Sequence, residues 1–468
     1  MPLGRLIAPS IVAGAIGAVS IAAQSAPAVH IVHTTFSLHR GQTTFVRVRV
    51  EIPPGNYVPA ESRGPFSGAR LEVISTSILN RELPTYPTPT PHTLPGLRQP
   101  VLAYEGSIDI GMPLFAAPGL NGAQTLHLAF TNQMCDSKRC GPVETMDAVE
   151  PANIVEPIAE PFSIAFRLDA SRVVIPLTRD YSAVRPDNLR EEEPLGTLGP
   201  AFTAVPDAQN ASVSADDGMH IGDVWTILSN GYAHRASVQH VGFLADGCGD
   251  PGSGALSAMA SDTLQRDPAK YFLAARSSIA AVVRNRAASA SLDTARRTAL
   301  VDLLNRQFRA TYPSIMAPLS LGPGNKGAAQ APRASDVRFD RAVEQGLAKL
   351  TYDVQAFRLS PDQRRQFLVR AAWTAGNQSL HMSFWLRSDG REFIVEQTDA
   401  WWARQSRLNP GMFGGRDFSP LILNVVPAAD GWSYVIVGRR WYESISISAL
   451  KYSAAGLKHT GIAYSYGC

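Results

Sequence analysis

Leu126-His127-Leu128-Ala129-Phe130-Thr131-Asn132-Gln133-Met134-Cys135-Asp136-Ser137-Lys138-Arg139-Cys140-Gly141-Pro142 holds a strand, a turn and the start of a return strand. Leu126, Leu128 and Phe130 alternate with His127, Ala129 and Thr131, the two-residue period of a strand with one face on a core. By the same period Cys135 falls on the face away from that core and, on a regular strand, points outward. The four turn-forming residues Asp136 to Arg139 bring Cys140 onto a return strand. Facing hairpin residues have Cα atoms roughly 4.5–5.5 Å apart, within disulfide range. Cys135 and Cys140 can therefore pair locally at an exposed hairpin tip. Closing so short a loop stabilises a fold less than closing a long one. Lys138 and Arg139 are adjacent cations that favour a thiolate. Spacing alone leaves two uses open, a structural hairpin disulfide and an exchanging one.

The same alternation spreads outward from this hairpin. Val46, Val48, Val50 and Ile52 alternate with Arg47, Arg49 and Glu51, and Ile108, Ile110, Met112 and Leu114 form another such run. Leu83-Pro84-Thr85-Tyr86-Pro87-Thr88-Pro89-Thr90-Pro91 reads as a loop, because each proline removes a ladder donor. Short strands with Pro/Gly punctuation over residues 29–149 predict an immunoglobulin-like β-sandwich.

The segment from Phe130 through Cys135 and Cys140 to Pro142 resembles the active hairpin of the N-terminal periplasmic domain of the thiol:disulfide interchange protein DsbD family. Leu83-Pro84-Thr85-Tyr86-Pro87, Tyr104-Glu105-Gly106 and the Ile108–Leu114 run resemble that family in order and spacing. The resemblance covers about a quarter of the chain. It implies an immunoglobulin-like domain that passes two electrons by thiol–disulfide exchange. Cys140 would form the mixed disulfide with a partner, Cys135 would resolve it, and Tyr104 would belong to a loop capping the pair. Several features depart from the family. Its best-known member has five residues between the cysteines rather than four. Gly141 stands where an aromatic can follow the second cysteine, and Val143 where a second proline stands. The chain has no Cys-x-x-Cys, so the resemblance implies a thioredoxin-like electron donor or acceptor in a separate chain. The implied partners are thiol/disulfide proteins of the cell envelope, and no cofactor is implied.

Compartment and organisation follow from composition. After Met1–Arg5, Leu6 to Ala23 carries no charge, and small residues follow at cleavage spacing, the layout of a secretory signal peptide over residues 1–28. A retained anchor is the alternative. No later run approaches a membrane span, so the expected location is the periplasm or the exterior, where disulfides persist. The chain has 468 residues, 18% charged, with a formal net charge of +3. That argues against nucleic-acid binding, which needs a concentrated basic surplus.

The repeated Glu-Pro steps of Ala148 to Pro161 read as an extended linker, with one or two strands following before residue 207. Residues 208–468 read as a mixed α+β domain, helical over about 254–312 and β-rich over 335–468. Phe272, Ala275, Ile279, Val282 and Val283 share one helical face; Leu300, Leu303, Leu304 and Phe308 share the next, which Pro313 ends. Ile445, Ile447, Ile462, Tyr464 and Tyr466 alternate as strands, and Asp389-Gly390 and Asp430-Gly431 are hairpin signals. The whole chain is therefore mainly β.

Cys248 lies in a turn and Cys468 is the last residue; they read as one long-range structural disulfide or as two free thiols. Other motifs carry no function. Gly322 to Gly327 matches a dinucleotide fingerprint without its strand and helix. Ser448 and Lys451 lie in a strand-like run. His30 and His33 lack companions for a metal set, and Asp216-Asp217-Gly218 lacks a full calcium loop. Trp373, Trp385, Trp401 and Trp402 read as core rather than a binding platform. The leading function is thiol–disulfide exchange. The alternative is an envelope binding or adaptor protein with a structural hairpin disulfide. A hydrolase in residues 200–468 is a weaker third reading.

Overall fold

A computed structural model describes residues 28–60, 66–75, 77–80, 84–93, 96, 100–117, 119–157, 161–176, 202–204, 220–244, 253–260, 262–276, 287–316, 352–358, 367–374, 379–388, 392–403, 420–428, 432–440, 444–453 and 456–467. The chain is mainly β, as its alternation predicts. The first strands are β1 (His30–Ile31), β2 (Phe36–His39), β3 (Thr43–Glu51), β4 (Tyr57–Pro59), β5 (Arg70–Val73), β6 (Ile78–Asn80), β7 (Thr90–His92), β8 (Val101–Glu105), β9 (Ser107–Ala116), β10 (Gly122–Cys135) and β11 (Cys140–Val155). They form two sheets, one in the order β1-β3-β9-β6 and the other β2-β11-β10-β4-β8-β7, with β5 on β10.

The two sheets face each other across one core. In β3, Val46, Val48 and Val50 are buried while Arg47 and Arg49 are exposed. They meet Ile110, Met112 and Leu114 of β9 and Leu126, Leu128 and Phe130 of β10. This is the expected sandwich. Two sequence expectations shift. Strand β11 runs through Glu150 and Pro151 to Val155, into the stretch expected to be linker. Glu150 is fully buried on the core face, where its carboxylate accepts the Thr34 backbone N–H at 2.9 Å and lies 2.9 Å from the His33 imidazole. Thr90 and Pro91 belong to β7, a three-residue edge strand rather than loop. An edge is where a proline is tolerated.

The next strands are β12 (Ser163–Arg167), β13 (Arg172–Pro176), β14 (Phe202–Ala204), β15 (Val224–Ser229), β16 (Tyr232–Leu244), β17 (Ser253–Ala260) and β18 (Tyr271–Arg276). Strand β16 pairs with β15 along its first half and with β17 along its second. The ring β16-β15-β18-β12-β13-β17 therefore closes into an antiparallel barrel. Val173, Ile175, Trp225, Ile227, Val238, Leu256, Phe272 and Ala274 belong to one core cluster of the barrel. Strands β12 and β13, expected between domains, are two of its staves.

The helix expected over Phe272 and Ala275 is instead strand β18, following β17 and a 3-10 turn at Asp262–Arg266. Residues 271–275 are all buried. Phe272 and Ala274 face one cluster, Tyr271 and Leu273 another. A strand buried on both faces shows no alternation, and an apolar run fits either period. Ile279, Val282 and Val283 lie outside the described residues.

The remainder comprises β19 (Ala288–Ala290), helix α1 (Thr294–Met316), β20 (Asp353–Arg358), β21 (Phe367–Thr374), β22 (Ser379–Ser388), β23 (Phe393–Ala403), β24 (Leu421–Pro427), β25 (Ser433–Arg440), β26 (Ser444–Ser453) and β27 (Gly456–Gly467). Strands β19 to β23 and β24 to β27 make two antiparallel meanders. The second meander packs on the outside of the barrel through Ile436, Ile447, Ile462 and Tyr464. Helix α1 is capped by Asp293, whose carboxylate accepts the Arg296 N–H at 2.8 Å. It buries the expected face of Leu300, Leu303, Leu304 and Phe308. Pro313 does not end it; the helix runs to Met316. A proline there removes one donor, and only the final turn follows. Gln307 donates from Nε2 to the Tyr86 carbonyl at 3.1 Å, and Ala310 joins the sandwich core. The proline-rich loop of the first domain is thus the seat of α1. No helix among the described residues is long and apolar enough to cross a membrane.

Candidate functional site

The site is the far end of the β10–β11 hairpin. Its ladder runs in register from Gly122↔Ile154 to Gln133↔Val143, then shifts, so that Cys135 faces Cys140. Between the last regular pair and the cysteine pair, β11 holds one more residue than β10, a β-bulge at Gly141 and Pro142. The extra residue keeps Cys140 on the same face as Val143, opposite the main core. Cys135 and Cys140 are joined by a disulfide, with Cα atoms 3.9 Å apart.

The turn is built by Asp136. Its Oδ1 accepts the backbone N–H of Lys138 at 2.6 Å and of Arg139 at 2.8 Å, while its own N–H donates to the Arg139 carbonyl at 2.9 Å. These N–H groups of Arg139 and Lys138, with the two cationic side chains, hold the Asp136 carboxyl below its ordinary range. The Lys138 and Arg139 side chains are exposed at the tip.

The two sulfurs differ in access. The expectation that Cys135 points away from the core holds in direction but not in exposure: the residue is only 1% exposed. The sheet continues beyond β10 at this end, because Cys135 also pairs with Tyr57 of β4, and β4 with β8. Tyr57, Phe66, Val101 and Ala103 then cover Cys135 in a small second cluster, with Cys140 packed at its margin and half-buried. Tyr57 donates its hydroxyl to the Asp136 carbonyl at 2.5 Å and stacks on His92 at 5.1 Å. Burial and the Asp136 charge push the Tyr57 hydroxyl above its usual pKa. Gln133 accepts the Ser67 N–H at 2.9 Å and donates to the Gly141 carbonyl at 3.0 Å, tying the Phe66 loop to the bulge.

Tyr104, expected to cap the pair, lies elsewhere. Along β8, Val101 and Ala103 face the disulfide, and by strand parity Tyr104 faces the main core, stacked on Tyr86 at 6.2 Å. Tyr57 and Phe66 are the aromatics beside the cysteines. Sequence reasoning missed them because they come from loops and short strands that only tertiary pairing brings to the hairpin. Cys248 and Cys468 lie outside the described residues. His30 and His33 do not share a site: His30 pairs with Glu51 at 3.0 Å and His33 with Glu150. Trp385 is fully buried in the core; the side chains of Trp373, Trp401 and Trp402 lie outside the described set.

No family model matches the chain, and no curated protein matches it. Among solved structures it is similar to the N-terminal domain of DsbD from Neisseria meningitidis in the reduced form. The identity is 16%, over 24% of this chain and 82% of that one, with a TM-score of 0.18.

Proposed function

We propose that the chain is a thiol–disulfide exchange protein whose working pair is Cys135 and Cys140. One observation carries this reading: the two cysteines differ in exposure. Cys140 is half-buried at the margin of its cluster, while Cys135 is covered by Tyr57, Phe66, Val101 and Ala103. In the reduced form the Cys140 thiolate attacks a partner's disulfide. A Cys140–partner bond forms and the partner's other sulfur leaves as a thiolate. Cys135 then attacks Cys140, re-forming the internal disulfide and releasing the partner's second thiol, so two electrons pass to the partner. Lys138 and Arg139 favour the attacking thiolate. The partners under this reading are envelope proteins, with a thioredoxin-like donor or acceptor in another chain, and the compartment is the periplasm or exterior. Residues 29–149 are the exchanging module.

The burial of Cys135 also favours a second reading, in which the disulfide is a clasp holding the hairpin against Tyr57 and the rest of the chain binds a partner. Equilibration of the full chain in defined thiol buffers, followed by alkylation, separates the two. Exchange gives a midpoint above about −300 mV, and a clasp stays oxidised below it. The Cys135→Ser variant accumulates mixed disulfides through Cys140 if exchange is correct, and none if the pair is a clasp.

A further inference from the structure

Strand β11 has two edges, and among the described residues only one is paired along most of its length. On one side it pairs with β10 throughout. On the other, β2 pairs only with Ala152 to Val155. Among the described residues no strand pairs with that edge from Cys140 to Pro151. Proteins normally cover or blunt such an edge, since its N–H and C=O groups template another strand. Pro142 and Pro151 bracket this one, but residues 143–150 between them contain no proline. The outward face there carries Val143, Thr145, Asp147 and Val149, all exposed. Val143 and Val149 are 51% and 55% exposed, among the most exposed large apolar residues described. The bulge at Gly141 and Pro142 puts Cys140 on this same face. The open edge, the apolar pair and the half-buried sulfur therefore form one continuous strip.

Charge along the strip is polarised. Lys138 and Arg139 stand at the cysteine end, and Glu144 and Asp147 are exposed further along. We propose that the exchange partner docks as an added antiparallel strand on this edge of β11, setting its own cysteine beside Cys140. The inference rests on the exchange reading above and names its partner surface. The occupant is an extended segment with alternate apolar residues against Val143 and Val149. It carries a basic residue toward Asp147 and an acidic residue next to its cysteine, toward Lys138 and Arg139. Main-chain bonds supply the attraction, and the alternate side chains supply the choice of partner.

The test uses the full chain reduced with dithiothreitol and freed of it. The probe is a synthetic peptide of ten residues, Val-Thr-Lys-Thr-Thr-Thr-Val-Thr-Cys-Glu from N- to C-terminus, which sets its valines opposite Val149 and Val143, its lysine opposite Asp147 and its cysteine opposite Cys140, and whose cysteine is activated as the thionitrobenzoate disulfide. Cys140 attacks, expelling thionitrobenzoate, which is read by absorbance; Cys135 then releases the peptide thiol. A second peptide is identical but N-methylated at alternate amides, which removes strand donors without changing side chains. Docking predicts release about tenfold faster from the unmethylated peptide, the effect of one or two strand hydrogen bonds. It also predicts that Val143→Lys with Val149→Lys removes the preference, each peptide rate being divided by the same variant's rate with free dithionitrobenzoate. Equal rates from the two peptides overturn the edge and leave the exchange reading standing. Failure to react even with dithionitrobenzoate overturns the exchange reading itself. A dimer in sedimentation that the double lysine variant dissolves assigns the edge to a second copy and overturns the proposal.

Discussion

The size of the ring closed by Cys135 and Cys140 makes a sharp statement about how much the fold needs that bond. The two residues are five apart in sequence, and the chain-entropy estimate for so small a loop is about 2 kcal/mol, against about 5 for a loop of more than 200 residues. By linkage, whatever the disulfide contributes to the fold, the fold returns to the disulfide, so about 2 kcal/mol corresponds to roughly 45 mV of reduction potential. A bond so lightly held can be opened without loss of its domain. The perturbation is reduction of the wild-type chain, checked against Cys135→Ala with Cys140→Ala. The assay is amide hydrogen exchange across β10, β11, β3 and β9, because unfolding of a chain with several sheets is not one two-state transition. Protection of Leu126, Leu128 and Phe130 should fall by no more than about 2 kcal/mol, with β3 and β9 falling in step. A loss above about 4 kcal/mol, or collapse of protection throughout the sandwich, would refute the argument and make the pair a structural staple.

Other outcomes follow from the same geometry. Tyr57→Phe removes the hydroxyl that the Asp136 carbonyl accepts; it should cost about 1 kcal/mol and speed reduction of the disulfide several-fold, read by timed alkylation in dithiothreitol. Asp136→Ala removes the acceptor that shapes the turn, so re-oxidation of the reduced pair should slow, followed by loss of free thiol. The depressed Asp136 pKa means this support is present above the ordinary carboxyl value near 4 and is lost as pH falls through the lower folded value. In the barrel, Asp267 is buried. Burial raises its pKa, but bonds from His234, Ser229 and the Ala269 N–H, with the His234 charge, outweigh that and leave it lowered. Asp267→Asn should therefore destabilise the barrel by about 2–3 kcal/mol at neutral pH. The difference from wild type should shrink as pH falls through the depressed value, measured by amide hydrogen exchange in β15 and β18.

The strands that alternate were readable because one of their faces is wet. Val46, Val48 and Val50 in β3 and Leu126, Leu128 and Phe130 in β10 each have polar or charged neighbours that mark the outer face, and the structure places all six in the sandwich core. The barrel was not readable for the opposite reason. Tyr271 to Ala275 are buried on both faces, one by the barrel core and one by the β24–β27 meander. Nothing polar interrupts them, and Phe272 with Ala275 matches a helical step by coincidence. The repeated Glu-Pro steps misled differently. Pro151 stands opposite Thr125 in the ladder, and Glu150 is held inside by Thr34 and His33, partners more than a hundred residues away.

The cysteine pair shows where local rules stop. Period two gives the face of Cys135 correctly, and turn length gives its partner. Neither gives the exposure of that face, because exposure depends on whether another strand lies alongside. Here β4 pairs with the last residue of β10 and brings Tyr57 over one sulfur, while β11 has no neighbour at the other among the described residues. The same local hairpin with β4 removed would expose both sulfurs alike and assign neither a role. Under the proposed exchange, with β4 present a partner approaching from outside would meet Cys140 first, leaving Cys135 for the second, internal step. On that proposal the order of attack would come from sheet topology rather than from the Cys-x4-Cys spacing. Exchanging the covered and uncovered positions, by opening the Tyr57 side and blocking the β11 edge, should exchange which cysteine is trapped.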